Sequence, residues 1–207
     1  MMRLSRDLAG SCLAPSGSVI AVGAFDGLHR GHQALLTQVR VRAQALGCSP
    51  VVVSFEPLPR AFFSESPVPR LSSVREKLRG FAAAGMEHTL LLRFNAALTA
   101  MSAEDFVRRV LVDRLATREV WVGSDFRFGH KRGGDVALLE RMGAQLGFTA
   151  CTMPPVHFDG ARVSASRARM LLAAGEFSGA EPLLGRPFVI DGKVEYGNQL
   201  GRTLGFP

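Results

Sequence analysis

The segment that most clearly indicates the fold of this 207-residue chain is Val19-Ile20-Ala21-Val22-Gly23-Ala24-Phe25-Asp26-Gly27-Leu28-His29-Arg30-Gly31-His32. An apolar strand ends here in a glycine-rich turn, and two histidines three residues apart open the helix that follows. Such a turn presents free backbone N–H groups and the positive end of a helix dipole, which together suit phosphate. The imidazoles add hydrogen-bond donors where charge would build up on a phosphoryl group. The stretch therefore predicts a phosphate-binding turn, although it is not a P-loop, because the Lys-Ser/Thr ending is missing.

Apolar runs and amphipathic segments alternate from residue 18 to about residue 184. This alternation predicts an α/β domain with a doubly wound, Rossmann-like parallel sheet. The predicted strands are short and flanked by turn residues, at 18–25, 50–55, 88–94, 118–123 and 148–153. The predicted helices cover 31–46, 73–84, 102–116, 134–146 and 164–174. Ser73 with Glu76 has the spacing of a capping box, and Ser102 with Asp105 forms a second N-cap pair. Doubly wound sheets bind ligands at the carboxyl ends of their strands, where the first turn lies.

The composition is that of an ordinary globular protein, with 47% hydrophobic and 21% charged residues. The formal net charge is +7, but the basic residues are scattered, so they favour small polyanionic substrates over nucleic acid. Three widely spaced cysteines, without a C-x-x-C motif, predict reduced thiols. No signal peptide and no bilayer-spanning run is recognised. We therefore expect a cytoplasmic protein with no membrane or nucleic-acid partner; the oligomeric state stays open.

The character of the sequence changes after Leu184. Gly185-Arg186-Pro187 marks a boundary, and the strand-like alternation of 188–197 leads to the closing Gly201-Arg202-Thr203-Leu204-Gly205-Phe206-Pro207. We expect one domain over 1–184 and the opening strands of a second domain over 185–207, because two short strands cannot form a stable sheet alone.

Several segments together carry a family resemblance. The His-x-Gly-His turn resembles the signature of the nucleotidyltransferase superfamily. Four further segments narrow the resemblance to one family within this superfamily: Phe55-Glu56-Pro57-Leu58-Pro59, Pro69-Arg70-Leu71-Ser72, Val122-Gly123-Ser124-Asp125-Phe126-Arg127-Phe128-Gly129 and Val163-Ser164-Ala165-Ser166-Arg167-Ala168-Arg169. In this order, and with the closing Gly-Arg-x-Leu-Gly-Phe-Pro, they resemble the bacterial bifunctional riboflavin kinase/FAD synthetase family over residues 19–207.

The resemblance implies an FMN adenylyltransferase that transfers AMP from ATP to FMN, giving FAD and pyrophosphate. It also implies a riboflavin kinase half, of which 185–207 would be only the beginning, so kinase activity is expected of the full-length protein and not of these residues. Mg²⁺ is implied by the ATP chemistry, but no carboxylate cluster marks its ligands, so phosphate oxygens and water would supply most of its coordination.

The phosphate site implied by the resemblance begins at the first turn. His29 and His32 are assigned as donors to the ATP phosphates, and Gly23 and Gly31, with Gly27, let the backbone approach closely. Phe25 and Asp26 shape the turn. An equally good interpretation is that Asp26 is only a turn residue, which hydrogen-bonds its own backbone.

A second anion site is predicted at the start of the helix over 164–174. Ser164, Ser166 and Arg169 are its candidate residues, with an ordinary N-cap on a surface helix as the alternative. The family more often has Ser-Ser-Thr here, so Ala165 removes one hydroxyl and makes a phosphate contact at that position doubtful.

The flavin is expected against flat apolar side chains. The candidates are Phe55, Pro57, Pro59 and Phe62, and pure core packing is the alternative for Phe55. Asp125, Arg127 and Phe128 follow the fourth predicted strand, so they should face the same crevice; a salt bridge is nearly as good an explanation for Arg127.

The sequence is also compatible with two other functions. The same fold could adenylylate another acceptor, such as nicotinamide mononucleotide or phosphopantetheine, although the Phe-x-Pro-x-Pro and Asp-Phe-Arg-Phe-Gly segments argue against it. A non-catalytic nucleotide- or nucleic-acid-binding module is the other alternative, which the paired histidines disfavour.

Overall fold

A six-stranded parallel sheet forms the centre of the molecule, which is represented by a computed structural model that describes residues 1–192, 195, 197 and 200–205. The strands lie in the order β1-β4-β3-β2-β5-β6. Their bounds are Arg3–Ser5 (β1), Ser18–Val22 (β2), Ser49–Glu56 (β3), His88–Arg93 (β4), Thr117–Gly123 (β5) and Thr149–Met153 (β6). The predicted doubly wound α/β fold is confirmed.

Helices connect and cover the strands. They are Arg30–Leu46 (α1), Pro59–Phe63 (α2), Val74–Ala83 (α3), Ala96–Ala100 (α4), Ala103–Asp105 (α5), Val136–Leu146 (α6), Ala165–Ala173 (α7), Phe177–Leu184 (α8) and Leu200–Thr203 (α9). α5 continues as a wider π-helical segment over Phe106–Arg114. A two-stranded antiparallel hairpin, His157–Phe158 (β7) and Ala161–Arg162 (β8), precedes α7. Within the described part of the chain, no helix combines the length and the apolar character that crossing a membrane would require.

Side chains of the central strands alternate between two hydrophobic cores, because successive residues of a strand point to opposite faces of the sheet. Ile20 and Val22 of β2 face a core with the π-helical segment and α6. Val19 and Ala21 face the other core, with α1 and α3. Every residue of β2 is buried, which explains its continuous apolar run.

The strand order reverses at β2, which pairs with β3 on one side and β5 on the other. At such a reversal the connections leave to opposite faces of the sheet and open a crevice at the carboxyl ends of the strands. The turn that follows Val22 therefore lies at the mouth of this crevice.

The predicted capping signals are confirmed at both helices. Ser73 accepts a hydrogen bond from the backbone N–H of Glu76, whose carboxylate accepts one from the backbone N–H of Ser73. Ser102 accepts from the backbone N–H of Asp105. The N-terminal ends of α3 and α5 were thus predicted to within one residue.

The short elements and the last segment differ most from expectation. β1, α2, α4, α8 and the hairpin were not predicted, and all but α8 are five residues or shorter. The strand expected over 188–197 is absent from residues 188–192, and the closing segment contains the short helix α9. The same expectation for residues 193, 194, 196, 198, 199, 206 and 207 lies outside the described residues.

One side chain connects the start of α1 with the end of α8. The Gln33 amide nitrogen donates to the Leu28 carbonyl at 2.8 Å and to the Leu184 carbonyl at 2.7 Å. Beyond α8, Arg186 donates to the Gly27 carbonyl at 3.4 Å. The segment that leaves the predicted domain therefore contacts the turn after β2.

Candidate functional site

A cleft of about 770 Å³ opens above the carboxyl ends of the strands. One half of its wall is polar and basic, and the other half is aromatic. The polar half is formed by Asp26, His32, Arg60, Lys131, Arg132, Ser166 and Arg169, with Arg127 nearby. The aromatic and apolar half is formed by Phe55, Leu58, Pro59, Phe63, Phe94, Leu98, Met101, Phe106, Phe126 and Phe128.

The turn after β2 has an unusual backbone. Phe25 and Leu28 both have positive φ angles, 52° and 45°. Gly27 has φ 75°, and a Cβ there would lie only 2.8 Å from the Cβ of Leu71, so this position requires glycine. Phe25 is fully buried, with its ring 5.0 Å from that of His32 and 5.3 Å from that of Phe81. Phe25 therefore supports the turn from below and does not reach the cleft.

Asp26 fixes the turn to two distant parts of the chain. Its buried carboxylate accepts hydrogen bonds from the backbone N–H groups of Leu71 and Ser72 at 3.1 and 3.2 Å. It also accepts from the Ser72 hydroxyl and, at 2.6 Å, from Arg169 of α7. The interpretation that Asp26 hydrogen-bonds its own turn is wrong, because its partners lie 45 and more residues away.

The two histidines form a stacked pair at the start of α1. Their ring centroids are 3.7 Å apart and the planes differ by 16°. His29 Nδ1 accepts a hydrogen bond from the backbone N–H of His32 at 3.3 Å and so caps the helix. This hydrogen bond requires an unprotonated Nδ1 on His29, which leaves the proton on Nε2.

Both imidazoles are neutral in this environment. Burial is the main cause that lowers the pKa of His29 to about 4, and the charges of Arg162 and Arg169 act in the same direction. Burial also lowers the pKa of His32 well below its ordinary value, followed by the effects of His29 and Lys77. His32 lines the cleft, whereas His29 is buried beside it. A neutral imidazole can donate one hydrogen bond to an oxyanion without bringing a second charge into the site.

The start of α7 supplies the opposite wall of the polar half. Ser164 caps the helix by accepting from the backbone N–H of Arg167 at 3.2 Å, so its side chain is engaged in the N-cap. Ala165 and Ser166 line the cleft, and Arg60 of α2 lies 3.4 Å from the Ser166 hydroxyl. The methyl group of Ala165 thus stands at the cleft where the resembling family more often has a hydroxyl.

The aromatic half contains two groups of rings. Phe55 is buried at the end of β3 and also borders the cleft, with its ring 5.8 Å from that of Phe94. Phe126 and Phe128 are stacked, with centroids 5.4 Å apart. Among the residues proposed for the flavin, Pro59 lines the cleft, but Pro57 and Phe62 do not. The ring that lines it from α2 is Phe63, and the Phe62 ring packs behind it, 5.2 Å from that of Phe63 and 5.4 Å from that of Phe94.

The residues after β5 separate into two positions. Arg127 lines the cleft and forms an ion pair with Asp135 at 2.8 Å, so the salt-bridge interpretation of Arg127 is confirmed. Asp125 does not line the cleft. Both of its oxygens accept from Arg162 of the hairpin at 3.0 Å, which lowers the pKa of Asp125. The expectation that Asp125, Arg127 and Phe128 share one crevice is therefore wrong for Asp125.

Half of the sixteen predicted site residues line the cleft: Asp26, His32, Phe55, Pro59, Arg127, Phe128, Ser166 and Arg169. The others lie beside or beneath it: Gly23, Phe25, His29, Gly31, Pro57, Phe62, Ser164 and Asp125. Gly31 packs against the His29 ring, where a Cβ would approach Nδ1 to 3.2 Å. Three basic residues of the wall were not proposed, namely Arg60, Lys131 and Arg132. The last two lie in the basic stretch 127–132, whose charge density was a usable signal.

The carboxylates near the cleft do not form a metal-binding cage. The described residues contain no group of three or more His, Cys, Asp or Glu side chains placed to hold a metal ion. The oxygens of Asp26 already accept from Leu71, Ser72 and Arg169. A divalent ion in this cleft would therefore take most of its ligands from a bound polyphosphate and water.

Comparison with known proteins identifies the family to which the sequence is similar. A family model described as FAD synthetase matches residues 13–167. The chain is 43% identical over 206 residues to the bifunctional riboflavin kinase/FMN adenylyltransferase of Pseudomonas fluorescens. It is 39% identical over 208 residues to the protein of the same name from Escherichia coli K12. All of this chain is covered in both alignments, and it spans 66% of the length of each relative.

Solved structures support the fold. A Streptococcus pneumoniae structure described as a macrolide-efflux protein matches with a TM-score of 0.79 and 25% identity, over all of this chain and 67% of that one. A pantoate-beta-alanine ligase from Francisella tularensis matches with a TM-score of 0.50 and 9% identity, over 94% of this chain and 90% of the other. The second match concerns the fold alone.

Proposed function

We propose that this chain, which belongs to the FAD synthetase family, is an FMN adenylyltransferase. Such an enzyme transfers the AMP unit of ATP to FMN and releases pyrophosphate. The observation that carries the proposal is the composition of one cleft. A stacked histidine pair, a basic helix start and a cluster of aromatic rings meet there. A nucleotide polyphosphate needs the first two, and an isoalloxazine ring needs the third.

In the proposed reaction, an oxygen of the FMN phosphate attacks the α-phosphorus of ATP. A new P–O bond forms, the bond between the α-phosphorus and the bridging oxygen to the β-phosphate breaks, and the electron pair leaves with pyrophosphate. No covalent enzyme intermediate is needed, so catalysis consists of positioning and of stabilising charge on the transferring group.

His32 is assigned to the transferring phosphoryl group, because it is the histidine that lines the cleft. His29 acts through it, since the Nδ1 that caps α1 fixes the backbone of His32. Ser166 and Arg169 are assigned to the polyphosphate tail on the opposite wall, with Arg60, Lys131 and Arg132 as further basic groups at the cleft. Mg²⁺ enters as part of the substrate MgATP and neutralises phosphate charge while it is bound.

The flavin is assigned to the aromatic half. Phe55, Phe63 and Phe128 offer faces and edges at different sides of the cleft, which suits a flat tricyclic ring. Arg127 stays a candidate for the FMN phosphate, in competition with its ion pair to Asp135. Pro59 sets the start of α2, from which Phe63 reaches the cleft.

The same proposal includes the partners and setting of the chain. Its substrates are ATP and FMN, with no nucleic-acid partner, in the cytoplasm, where its three cysteines stay reduced. Phosphorylation of riboflavin is proposed only for a protein of the relatives' full length, because this chain spans 66% of the length of the bifunctional relatives.

The decisive experiment incubates the chain with MgATP and FMN and measures FAD and pyrophosphate together. We expect both in equal amounts. Nicotinamide mononucleotide and phosphopantetheine, offered separately, should remain unmodified. Adenylylation of either one without FAD formation would overturn the assignment of the acceptor. Salt-sensitive oligonucleotide binding as the only activity would favour the binding-module alternative.

A further inference from the structure

Lys77 of α3 is a buried charge that the site as described does not use. Its side chain has no exposed surface, and its Nζ has no hydrogen-bond partner among the described residues. The nearest carboxylate oxygen is Glu56 Oε2, at 3.9 Å, which already accepts from Arg70 at 2.7 Å. A buried amine in this situation destabilises the fold, because it has lost its hydration without gaining a hydrogen bond. Stability alone therefore does not explain a lysine at this position.

α3 places this amine directly beneath the histidine turn. Lys77 and Phe81 lie one helical turn apart, on the buried face of α3. The Phe81 ring contacts Phe25, and the Phe25 ring contacts His32. The charge of Lys77 reaches the turn, since it is among the causes that lower the pKa of His32. Lys77 itself does not line the cleft, so any action on a ligand operates through the protein interior.

The charges beneath the turn do not balance. Two carboxylates, Asp26 and Glu56, lie among three cations, Arg70, Lys77 and Arg169. Arg169 is paired with Asp26 and Arg70 with Glu56, each at less than 2.8 Å. Among the described residues, the only ion pair of Lys77 is the 3.9 Å contact with Glu56 Oε2, and burial lowers the pKa of its amine. Because Lys77 is fully buried, water screens its charge only weakly, and a positive charge there favours an anion bound nearby.

We propose that Lys77 is a positioning residue for the nucleotide: its ammonium, which has no hydrogen-bond partner and only a long ion pair to Glu56, supplies positive charge that holds the polyphosphate against the His29–His32 pair. This inference rests on the proposed function, whose nucleotide site it deepens. The ammonium attracts bound phosphate groups electrostatically from a distance, without contact. It therefore affects the polyanionic substrate and leaves the flavin ring unaffected.

The test compares Lys77→Met, which keeps the length of the side chain and removes the charge, with Lys77→Arg, which keeps the charge. Arg75→Met is the matched control, because it removes one positive charge from an exposed position of the same helix. For each variant we would measure KM for ATP, KM for FMN, kcat, the thermal midpoint, and the affinity for inorganic pyrophosphate by titration calorimetry.

We expect Lys77→Met to raise KM for ATP and to weaken pyrophosphate binding by roughly tenfold, as a unit charge about 10 Å away would at an intermediate dielectric constant. KM for FMN should rise less than KM for ATP, because the single phosphate of FMN carries fewer charges than the triphosphate. Lys77→Arg should restore most of the pyrophosphate affinity, and Arg75→Met should match the unmodified protein. The thermal midpoint of Lys77→Met should equal or exceed that of the unmodified protein.

Two results would overturn the inference. The first is unchanged ATP and pyrophosphate parameters in a folded Lys77→Met protein. The second is a lower thermal midpoint with both KM values rising by the same factor, which would show a purely structural lysine. If Lys77→Met does not fold, Glu56→Gln gives the opposite test: removal of this carboxylate should tighten pyrophosphate binding, and weaker or unchanged binding would refute the role.

The pyrophosphate titration also separates this inference from the proposed function. If the unmodified chain binds pyrophosphate but makes no FAD from MgATP and FMN, the proposed activity fails. The comparison of Lys77→Met with Lys77→Arg still decides the role of the lysine in that case.

Discussion

The two halves of the cleft are built in different ways. In the polar half, Asp26 and His29 are almost fully buried; Asp26 accepts hydrogen bonds from Leu71, Ser72 and Arg169, and His29 accepts one from the backbone N–H of His32. In the aromatic half, Phe63 is 69% exposed, and the five-residue helix α2 that carries it has no buried residue. The turn of the polar half is therefore fixed by hydrogen bonds within the fold, whereas α2 in the aromatic half leaves apolar surface that a flat ligand can bury.

The largest effect should come from the polar half. His32→Ala removes the imidazole that is assigned to the transferring phosphoryl group, so we expect kcat for FAD formation to fall roughly 100- to 1000-fold. KM for FMN should stay nearly constant, because the aromatic half is untouched. Steady-state kinetics measure both, and His157→Ala, an exposed histidine in the hairpin, is the control. Loss of FMN affinity with retained kcat would reverse the assignment of the two halves.

The next effect concerns stability. Arg169→Met leaves the buried Asp26 carboxylate without its cation, and we expect the free energy of unfolding to fall by about 3 kcal/mol. Combining it with Asp26→Asn should recover part of this loss, because no unpaired charge then remains. Urea denaturation of the two single variants and the double variant measures the coupling. Strictly additive losses would mean that the pair does not hold the polar half together.

The stability of the protein should depend on pH through His29, which belongs to the polar half. The pKa of His29 is about 4 in the folded protein and near 6.5 in the unfolded chain, so the unfolded chain takes up the proton first as the pH falls. Stability is therefore full above pH 6.5 and decreases towards pH 4, by up to about 3 kcal/mol from this residue. His29→Asn keeps an N-cap acceptor without a titrating group, so its thermal midpoint should fall less over this range. Parallel curves for the two proteins would contradict the pKa of His29.

The smallest effect should come from the aromatic half. Phe63→Ala should raise KM for FMN roughly 3- to 10-fold, as expected for the loss of one aromatic contact. Phe62 is the matched control, because it is adjacent in sequence but does not line the cleft. Its replacement by alanine should change KM for FMN less than about twofold. Equal effects of the two replacements would mean that α2 moves when the flavin binds.

The sequence predicted the central fold well because the signals there are local. The buried strand β2 has a continuous apolar run, and the Ser73–Glu76 capping box lies within one helical turn. The elements that were not predicted are held by distant contacts or are too short to show a period. β1, for example, has three residues and is a strand because it pairs with β4.

The candidate site was predictable only in part, for a related reason. Motifs show which residues gather at the strand ends, but they do not show which way each side chain points. Phe62 and Phe63 are equivalent in the sequence, and only the start of α2 at Pro59 decides that Phe63 lines the cleft. Asp125 lies next to a cleft-lining segment, yet its partner Arg162 is 37 residues away, on a hairpin that had no sequence signal.

The double hydrogen bond of Gln33 has a consequence for the order in which the molecule assembles. Gln33 lies 151 residues before Leu184, and Asp26 lies 143 residues before Arg169. Contacts that close such long loops form late, because their entropy must be overcome before they contribute. During synthesis, the ribosome has therefore completed all six strands before it adds Arg169 and Leu184, whose contacts complete the histidine turn and the start of α1.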